Sequence, residues 1–321
     1  MLNICSGGAW RIIVAQRNNK ISVLHAESGS EINRLPDELF GLPVTELGDR
    51  ALAPTAPPAD GDEVFVNCSA QSFAGRDLRE LTLPEGLEAT GKYCFMNCRS
   101  LNKLIIGGKI NSFGTGSFVN CRSLENIEIL CDDIYATETA AYIASAMSHQ
   151  LNISMTDKPG RRIKLVFPEY YEEYVENSPA HHFDYKIDGE GYRYRLTFKN
   201  RHISPYEYDA CWNDYISTNS DEKTALYIAC NRVCFPEGLS DRAKSEYTDY
   251  IASHMSEALS YFIDRRDREG LDAMLKIQPA DVNVYRAALE ESRRIGWTEA
   301  SALLLEKVHM GGQTKRKSFE L

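Results

Sequence analysis

Apolar residues recur along the first half of the chain at a fixed interval. Leu78, Leu101 and Leu124 lie 23 residues apart, and each opens a pattern in which apolar residues occupy positions one, four and six. The last two apolar positions alternate with polar ones, which is typical of a half-buried strand. A strand of this length cannot bury its apolar face alone, so repetition at a fixed interval predicts a solenoid with one continuous core.

Other residue types recur in the same units. An aromatic residue precedes each leucine pattern at Phe73, Phe95 and Phe118, and we expect it to fill the space beneath the neighbouring turn. Cys98 and Cys121 occupy the same repeat position, which favours packed, structural thiols over a metal site. The asparagines before them, at positions 97 and 120, are predicted to hold a turn by bonding nearby backbone.

These residues resemble the BspA-like family of bacterial leucine-rich repeats. The similarity is carried by Phe95–Ile106 and Phe118–Ile129, and it extends upstream to a degenerate first unit at Leu35 with the turn Gly41-Leu42-Pro43-Val44. It covers roughly residues 35–130. The resemblance implies a short leucine-rich repeat solenoid. It says less about function, because such repeats serve many binding roles, and many relatives are exported surface proteins.

The segments around the repeats predict further elements. Residues 10–25 are predicted to form a hairpin that caps the first repeat. After residue 130 the pattern predicts a helix over 137–147, a strand over 162–167 and a short helix over 169–176. A hairpin is predicted within 183–198, turning at Asp188-Gly189-Glu190-Gly191.

From residue 205 the spacing becomes helical. Ser204-Pro205 is a helix start, a stripe over 226–234 predicts a second helix, and a stripe over 243–262 predicts one longer helix. Further helices are predicted around 271–275, over 288–295 and after Thr298. The segments 268–271 and 295–300 are faintly similar to ankyrin-type units.

The predicted fold class is therefore α+β, a short leucine-rich repeat solenoid with an N-terminal β-hairpin cap followed by an α-helical domain. The predicted regions are a repeat domain with its cap over 1–130, a mixed connecting segment over 131–203, a helical domain over 204–310 and a disordered tail over 311–321.

Charge and composition narrow the class of partner. The net charge of −10 argues against a general nucleic-acid binder, although Lys315-Arg316-Lys317 form a basic run in the tail. The first residues lack the pattern of a signal peptide, and no apolar run is long enough for a membrane span. We therefore expect a cytoplasmic protein, or a cell-surface protein if a signal was removed. The nine cysteines are scattered, which favours free thiols.

Motifs that carry chemistry are missing from the sequence. It contains no phosphate-binding loop, dinucleotide fingerprint, nucleophile elbow or zinc-protease helix, so we predict no catalysis, no cofactor and no metal. Cys230, Cys234 and His254 could supply metal ligands, but core thiols on a helix face are the favoured interpretation. A hydrolase site around His181, His182, Asp184 and Tyr192 is the least favoured alternative.

The predicted binding surface is the outer face of the repeat strands. Its residues lie beside the buried leucines and are predicted to face solvent: Arg79, Glu80, Thr82, Asn102, Lys103, Ile105, Glu125, Asn126 and Glu128. A mixed polar surface with an exposed isoleucine predicts a protein-interaction scaffold or adaptor with an unidentified protein partner. An exported adhesin or glycan-binding protein is the alternative. The oligomeric state stays open.

Overall fold

The computed structural model describes residues 8–56, 59–177, 182–218, 221–277 and 279–314, without the side chains of 174–177, 182–184 and 311–314. The chain divides into two compact units. The solenoid unit comprises Met1–Arg162 and Phe167–Ser204, and the helical unit comprises Ile163–Val166 and Pro205–Leu321. Among the helices in these described ranges, none is both long enough and apolar enough to cross a membrane.

An antiparallel hairpin begins the solenoid unit, as the sequence predicts for residues 10–25. Strand β1 (Trp10–Arg17) pairs with strand β2 (Lys20–Ser28). The turn is made by Asn18 and Asn19, with φ of 50° and 58°. Asparagine tolerates this left-handed conformation, and two such residues match the twist of a hairpin.

The strands that follow build two sheets. They are β3 (Ile32–Arg34), β4 (Glu38–Leu39), β5 (Leu42–Leu47), β6 (Asp62–Val66), β7 (Glu80–Thr82), β8 (Ala89–Thr90), β9 (Lys103–Gly107), β10 (Ser112–Phe113), β11 (Asn126–Cys131) and β12 (Leu151–Asp157). One sheet places β3, β7, β9, β11 and β12 side by side, with every neighbouring pair parallel. The other runs β10-β8-β5-β2-β1-β6, with β4 beside β5. This is the predicted solenoid with its hairpin.

The aromatic residues of the repeats enter the core as predicted, with one exception. The rings of Phe95 and Phe118 stack with their centroids 5.2 Å apart and nearly parallel planes. Both side chains are buried. Phe73, by contrast, stays partly exposed and meets the ring of Phe65 edge-on at 6.2 Å.

The repeat asparagines hold their turns differently from the prediction. Asn97 and Asn120 adopt left-handed backbone angles, with φ of 66° and 61°. Their side chains bond each other rather than the backbone, since Asn120 Nδ2 donates to Asn97 Oδ1 at 2.8 Å. The result is an amide contact between successive turns of the solenoid.

The elements that follow β11, in addition to β12, differ from the sequence prediction in two places. They are α1 (Thr139–Ala146), β13 (Arg162–Phe167), β14 (Tyr171–Asn177), β15 (His182–Asp188), α2 (Gly191–Arg195), β16 (Phe198–Lys199) and β17 (His202–Ile203). Helix α1 and strand β13 confirm the predictions for 137–147 and 162–167. The helix predicted over 169–176 is wrong, because this segment is strand β14.

The predicted hairpin over 183–198 is also misplaced. Its first strand, β15, pairs with β14, which precedes it in the chain. It does not pair with the segment that follows Asp188-Gly189-Glu190-Gly191. The Tyr and Val residues of β14 favour an extended backbone, which is the conformation that this segment adopts. Gly191 begins helix α2 instead, and a Cβ on this residue would lie 2.1 Å from the carbonyl oxygen of Pro168.

Arg195 closes this part of the solenoid unit. Its side chain is buried, and its guanidinium donates to five backbone carbonyls, those of Ala144, Met147, His149, Pro168 and Gly191, over distances of 2.5 to 3.1 Å. The Tyr170 ring lies 4.7 Å from the guanidinium carbon. Burial lowers the pKa of Arg195 to about 10. One cation therefore satisfies acceptors from three separate segments.

The helical unit follows Ser204. Its helices are α3 (Pro205–Ala210), α4 (Trp212–Ser217), α5 (Glu222–Cys234), α6 (Asp241–Ser253), α7 (Met255–Asp264), α8 (Arg268–Ile277), α9 (Val282–Arg294) and α10 (Thr298–Thr314). Side-chain caps start four of them: Asp221 accepts from Thr224 N, Ser240 from Ala243 N, Asp267 from Gly270 N and Asp281 from Asn283 N. The last helix continues four residues past the predicted limit at 310, and residues 315–321 of the predicted tail lie outside the described residues.

The single helix predicted over 243–262 is two helices. The chain leaves helical geometry at His254, where φ is −129° and ψ is 32°. His254 Nδ1 bonds the Tyr250 carbonyl at 2.8 Å, and its ring stacks on the Tyr250 ring at 4.4 Å. The apolar stripe continues across the break because both helices bury one face, which is why periodicity alone joined them.

A buried ion pair lies at the centre of the helical unit. Arg232, which is 0% exposed, donates to both carboxylate oxygens of Asp209 at 2.8 and 2.9 Å. The Tyr247 hydroxyl donates to the same carboxylate at 2.9 Å. Arg232 also donates to the carbonyls of Phe235 and Glu237. The Asp209 carboxylate raises the pKa of Arg232, although burial acts in the opposite direction.

Candidate interaction surface

In the parallel sheet, alternate residues point toward the core and away from it. Its inward residues are at most 2% exposed: Leu81, Leu83, Leu104, Ile106, Ile127, Ile129, Ile153 and Met155. A strand alternates its side chains between two faces, so the residues between these leucines and isoleucines point away from the core. We call this outer side the strand face.

The pairing register aligns the nine predicted residues in three rows. Glu80, Lys103 and Asn126 are direct neighbours across the strands, and so are Thr82, Ile105 and Glu128. Arg79, Asn102 and Glu125 form the row before the strands, where Asn102 N donates to Arg79 O and Glu125 N donates to Asn102 O. None of the nine is buried. Neighbours in a row are separated by about 4.8 Å, the spacing between strands.

Polar contacts order the strand face. Lys103 and Glu128 form an ion pair at 2.9 Å, and Arg79 pairs with Glu31 at 3.3 Å. Asn126 Nδ2 donates to Asn102 Oδ1 at 3.3 Å, which links the row of Asn126 to the row that precedes the strands. Surface pairs of this kind contribute little to stability, about 0–1 kcal/mol each, so their main effect here is to fix side-chain positions.

The strand face extends beyond the predicted residues on both sides. On strand β3, Ile32 pairs with Glu80 and Arg34 with Thr82, and the Ile32 side chain is 65% exposed. On strand β12, Asn152 pairs with Asn126, and its Nδ2 donates to Asn126 Oδ1 at 3.2 Å. The alternation Leu151-x-Ile153-x-Met155 was the available signal for β12. The three-residue strand β3 offers no comparable pattern.

A small charged cleft lies where the strands end. It encloses about 220 Å³ and is lined by Glu85, Lys109, Leu130, Cys131, Asp132, Thr156, Asp157 and Lys158. The Lys158 ammonium lies 2.7 Å from Asp132 and lowers the pKa of that carboxyl. Arg161 joins Asp157 and Asp133 at 2.7 and 2.8 Å. The cleft therefore combines ionised groups of both signs beside the partly exposed Leu130.

The cysteines of the repeats are packing residues. The Cys98 thiol donates to the Leu52 carbonyl at 3.2 Å, and the Cys121 thiol donates to the Phe95 carbonyl at 3.0 Å. Burial raises the pKa of Cys121 to about 11 and raises the pKa of Cys98 further. Both thiols therefore stay protonated near neutral pH and are poor nucleophiles.

The other candidate residues do not form a comparable site. Cys230 and Cys234 are buried in helix α5, and burial raises the pKa of Cys234 to about 12. Within the described ranges, no three of the His, Cys, Asp and Glu residues cluster as a metal site would require. Tyr192 packs on the Tyr170 ring at 5.5 Å. His181 and the side chains of His182 and Asp184 lie outside the described residues, and the hydrolase alternative stays a prediction.

Comparison with known proteins covers the repeats. Residues 62–156 match the model of the BspA type leucine rich repeat region, with 6 copies. The match begins later and ends later than the predicted range of 35–130, and it includes strand β12. The helical unit lies outside it. No curated protein matches the chain.

Two solved structures are similar over about a third of the chain. A leucine rich cell surface protein from Faecalibacterium prausnitzii A2-165 is 14% identical over 37% of this chain and 35% of its own, with a TM-score of 0.25. The Leucine Rich Repeat protein of T. pallidum is 16% identical over 36% of this chain and 68% of its own, with a TM-score of 0.22. By the family match, residues 62–156, which include most of the parallel sheet described above, are similar to the BspA type leucine rich repeat region.

Proposed function

We propose that the chain is a protein-interaction scaffold or adaptor without catalytic activity, and that the strand face binds the partner. The repeat family supports a protein-binding or surface-repeat role. The observation that carries the finer proposal is the alignment of three rows of outward side chains across parallel strands. The backbone hydrogen bonds between these parallel strands hold such a face in one register. A surface ordered in this way loses little conformational entropy when it binds.

The chemistry of the strand face favours a folded or extended protein over a small molecule. It presents acidic, basic and amide groups around the partly exposed Ile105, with Ile32 exposed at its edge. An apolar centre with a polar rim is the usual anatomy of a protein interface. The 220 Å³ cleft is smaller than the pockets of about 300–1,000 Å³ that typically hold small ligands.

The Lys103–Glu128 pair allows a direct test. Affinity capture with the intact protein should first identify one dominant protein, whose affinity is then measured by calorimetry. Lys103→Glu should weaken binding at least about fivefold, because it places a repulsive charge in the middle of the interface. The double exchange Lys103→Glu with Glu128→Lys restores the internal ion pair but reverses its orientation on the surface. We expect it to keep the melting temperature and still lose binding.

A matched control lies in the helical unit. Lys276 and Asp272 form a similar exposed pair one helical turn apart at 2.5 Å. Exchanging these two charges should leave binding unchanged within about twofold, since an exposed pair contributes little. Unchanged affinity in Lys103→Glu, Arg79→Glu and the double exchange would refute the strand face as the binding surface.

A further inference from the structure

Three arginines lie in the segments that lead into strands β7, β9 and β11. Arg76, Arg99 and Arg122 are 23 residues apart and exposed. They occupy one repeat position, three residues before Arg79, Asn102 and Glu125. The repeat therefore places one positive charge at the same position in three successive units.

The contacts around these segments keep them in register. Two residues before Arg99 and Arg122, the side chains of Asn97 and Asn120 bond each other. Three residues after the arginines, the backbone bonds from Asn102 to Arg79 and from Glu125 to Asn102 continue the stacking. Equivalent positions on stacked strands are about 4.8 Å apart. The three arginines therefore form one row, which we call the arginine column.

Among the described residues, the side chains of the arginine column have no charged protein partner. Several other cations of the solenoid unit do pair with carboxylates, including Lys20 with Glu88, Lys103 with Glu128 and Lys158 with Asp132. In the part of the chain that the structure describes, no ion pair or side-chain hydrogen bond reaches the arginines of the column. Neighbouring like charges repel, so an anion bound along the column would gain from all three.

A groove runs beside two members of the column. It encloses about 540 Å³, within the range of ligand sites, and Arg76 and Arg99 line it together with Ser28 and Ser100. The lining also includes Leu52, Ala53 and Pro54, together with His25 and Glu27. Glu27 is already held by Arg11 at 3.3 Å. Asp77 also lines the groove, at the repeat position where the later units carry Ser100 and Ser123.

We propose that the arginine column binds an acidic segment of another protein, whose Asp and Glu carboxylates accept hydrogen bonds from the three guanidinium groups. The planar guanidinium fork matches a carboxylate, and the apolar residues in the lining of the groove suit the rest of a peptide. A nucleic acid is disfavoured, because its continuous charge would meet Glu27, Asp77 and a chain of net charge −10. This site is separate from the strand face.

Fluorescence anisotropy of a labelled ten-residue polyglutamate peptide tests the proposal with the full chain. We expect saturable binding that weakens as salt is added. Charge reversal at the whole column (R76E, R99E and R122E) should reduce affinity at least about tenfold, since three charge pairs are lost. Reversal at three exposed cations elsewhere, R17E, K244E and R294E, changes the net charge equally and should retain affinity within about twofold.

A variant that gains affinity distinguishes a change at the site from a loss of folding. Asp77→Ser gives the first unit the residue that the later units carry and removes the carboxylate beside Arg76. It should raise affinity for the peptide about two- to threefold. The strand-face double exchange, Lys103→Glu with Glu128→Lys, should leave peptide binding unchanged, which separates this site from the proposed function.

Several results would overturn the proposal. They are absence of peptide binding by the unaltered chain, an equal loss in the control triple variant, or no gain in Asp77→Ser. Tighter binding of heparin or single-stranded DNA than of the peptide at the same ionic strength would also overturn it, because the ligand would then be a different polyanion.

Discussion

Replacing Arg195 by methionine should lower the free energy of unfolding of the solenoid unit by about 3–5 kcal/mol. The substitution keeps most of the buried volume but removes every donor to the five carbonyls that the guanidinium now satisfies. An unsatisfied buried carbonyl costs about 1–3 kcal/mol, partly offset because the cation no longer has to be desolvated. Urea denaturation followed by circular dichroism measures the change.

Arg193 provides the matched control on the same helix. Its side chain is exposed and lies 3.6 Å from Glu190. Arg193→Met should therefore cost less than about 1 kcal/mol. Hydrogen exchange should show faster opening of residues 139–155 in the Arg195 variant alone. Equal stability of the two variants would mean that the five carbonyls are satisfied without Arg195.

Replacing Asp209 by asparagine should destabilise the helical unit by about 3–5 kcal/mol, since it leaves the Arg232 cation buried without its counter-charge. Both guanidinium bonds to the carboxylate and the Tyr247 bond depend on that group. Tyr247→Phe removes one bond to a charged acceptor and should cost about 1.5–3 kcal/mol. The same urea titration ranks the variants.

A double variant separates the charge from the packing. Asp209→Leu with Arg232→Met replaces the whole ion pair by apolar groups, which is often neutral or stabilising in other proteins. It should recover at least half of the stability lost in Asp209→Asn. Arg242→Met, which removes an exposed partner of Glu246, is the control and should cost less than about 1 kcal/mol. A double variant as unstable as Asp209→Asn would show that the loss comes from packing rather than from the unpaired cation.

Much of the fold was predictable because its signals are local. The leucine pattern at Leu78, Leu101 and Leu124 places strands that the structure pairs in parallel, and the Asn18-Asn19 turn and the Pro205 helix start are encoded by neighbouring residues. The outward position of the strand-face residues follows from the same alternation. Whether they bind a partner stays a prediction.

The parts that could not be predicted depend on contacts between distant residues. Arg195 reaches carbonyls up to 51 positions away, and Arg232 meets Asp209 across 23 positions. Nothing in the neighbourhood of either arginine distinguishes it from an exposed one. Strand β14 differs from the helix that its sequence pattern predicts, because pairing with β15 fixes its extended backbone. That partner lies outside the segment from which the helix was predicted.

The four residues Ile163–Val166 make the helical unit discontinuous in the chain. Tyr208 binds this short segment through both the backbone nitrogen and the carbonyl of Val166, at 2.9 and 2.6 Å. During synthesis these four residues leave the ribosome well before α3, so the unit is incomplete until the later helices follow. A fragment that starts at residue 205 therefore lacks part of its own core. A chimaera joined at residue 204 or 205 alone would therefore not transfer either unit intact to another protein.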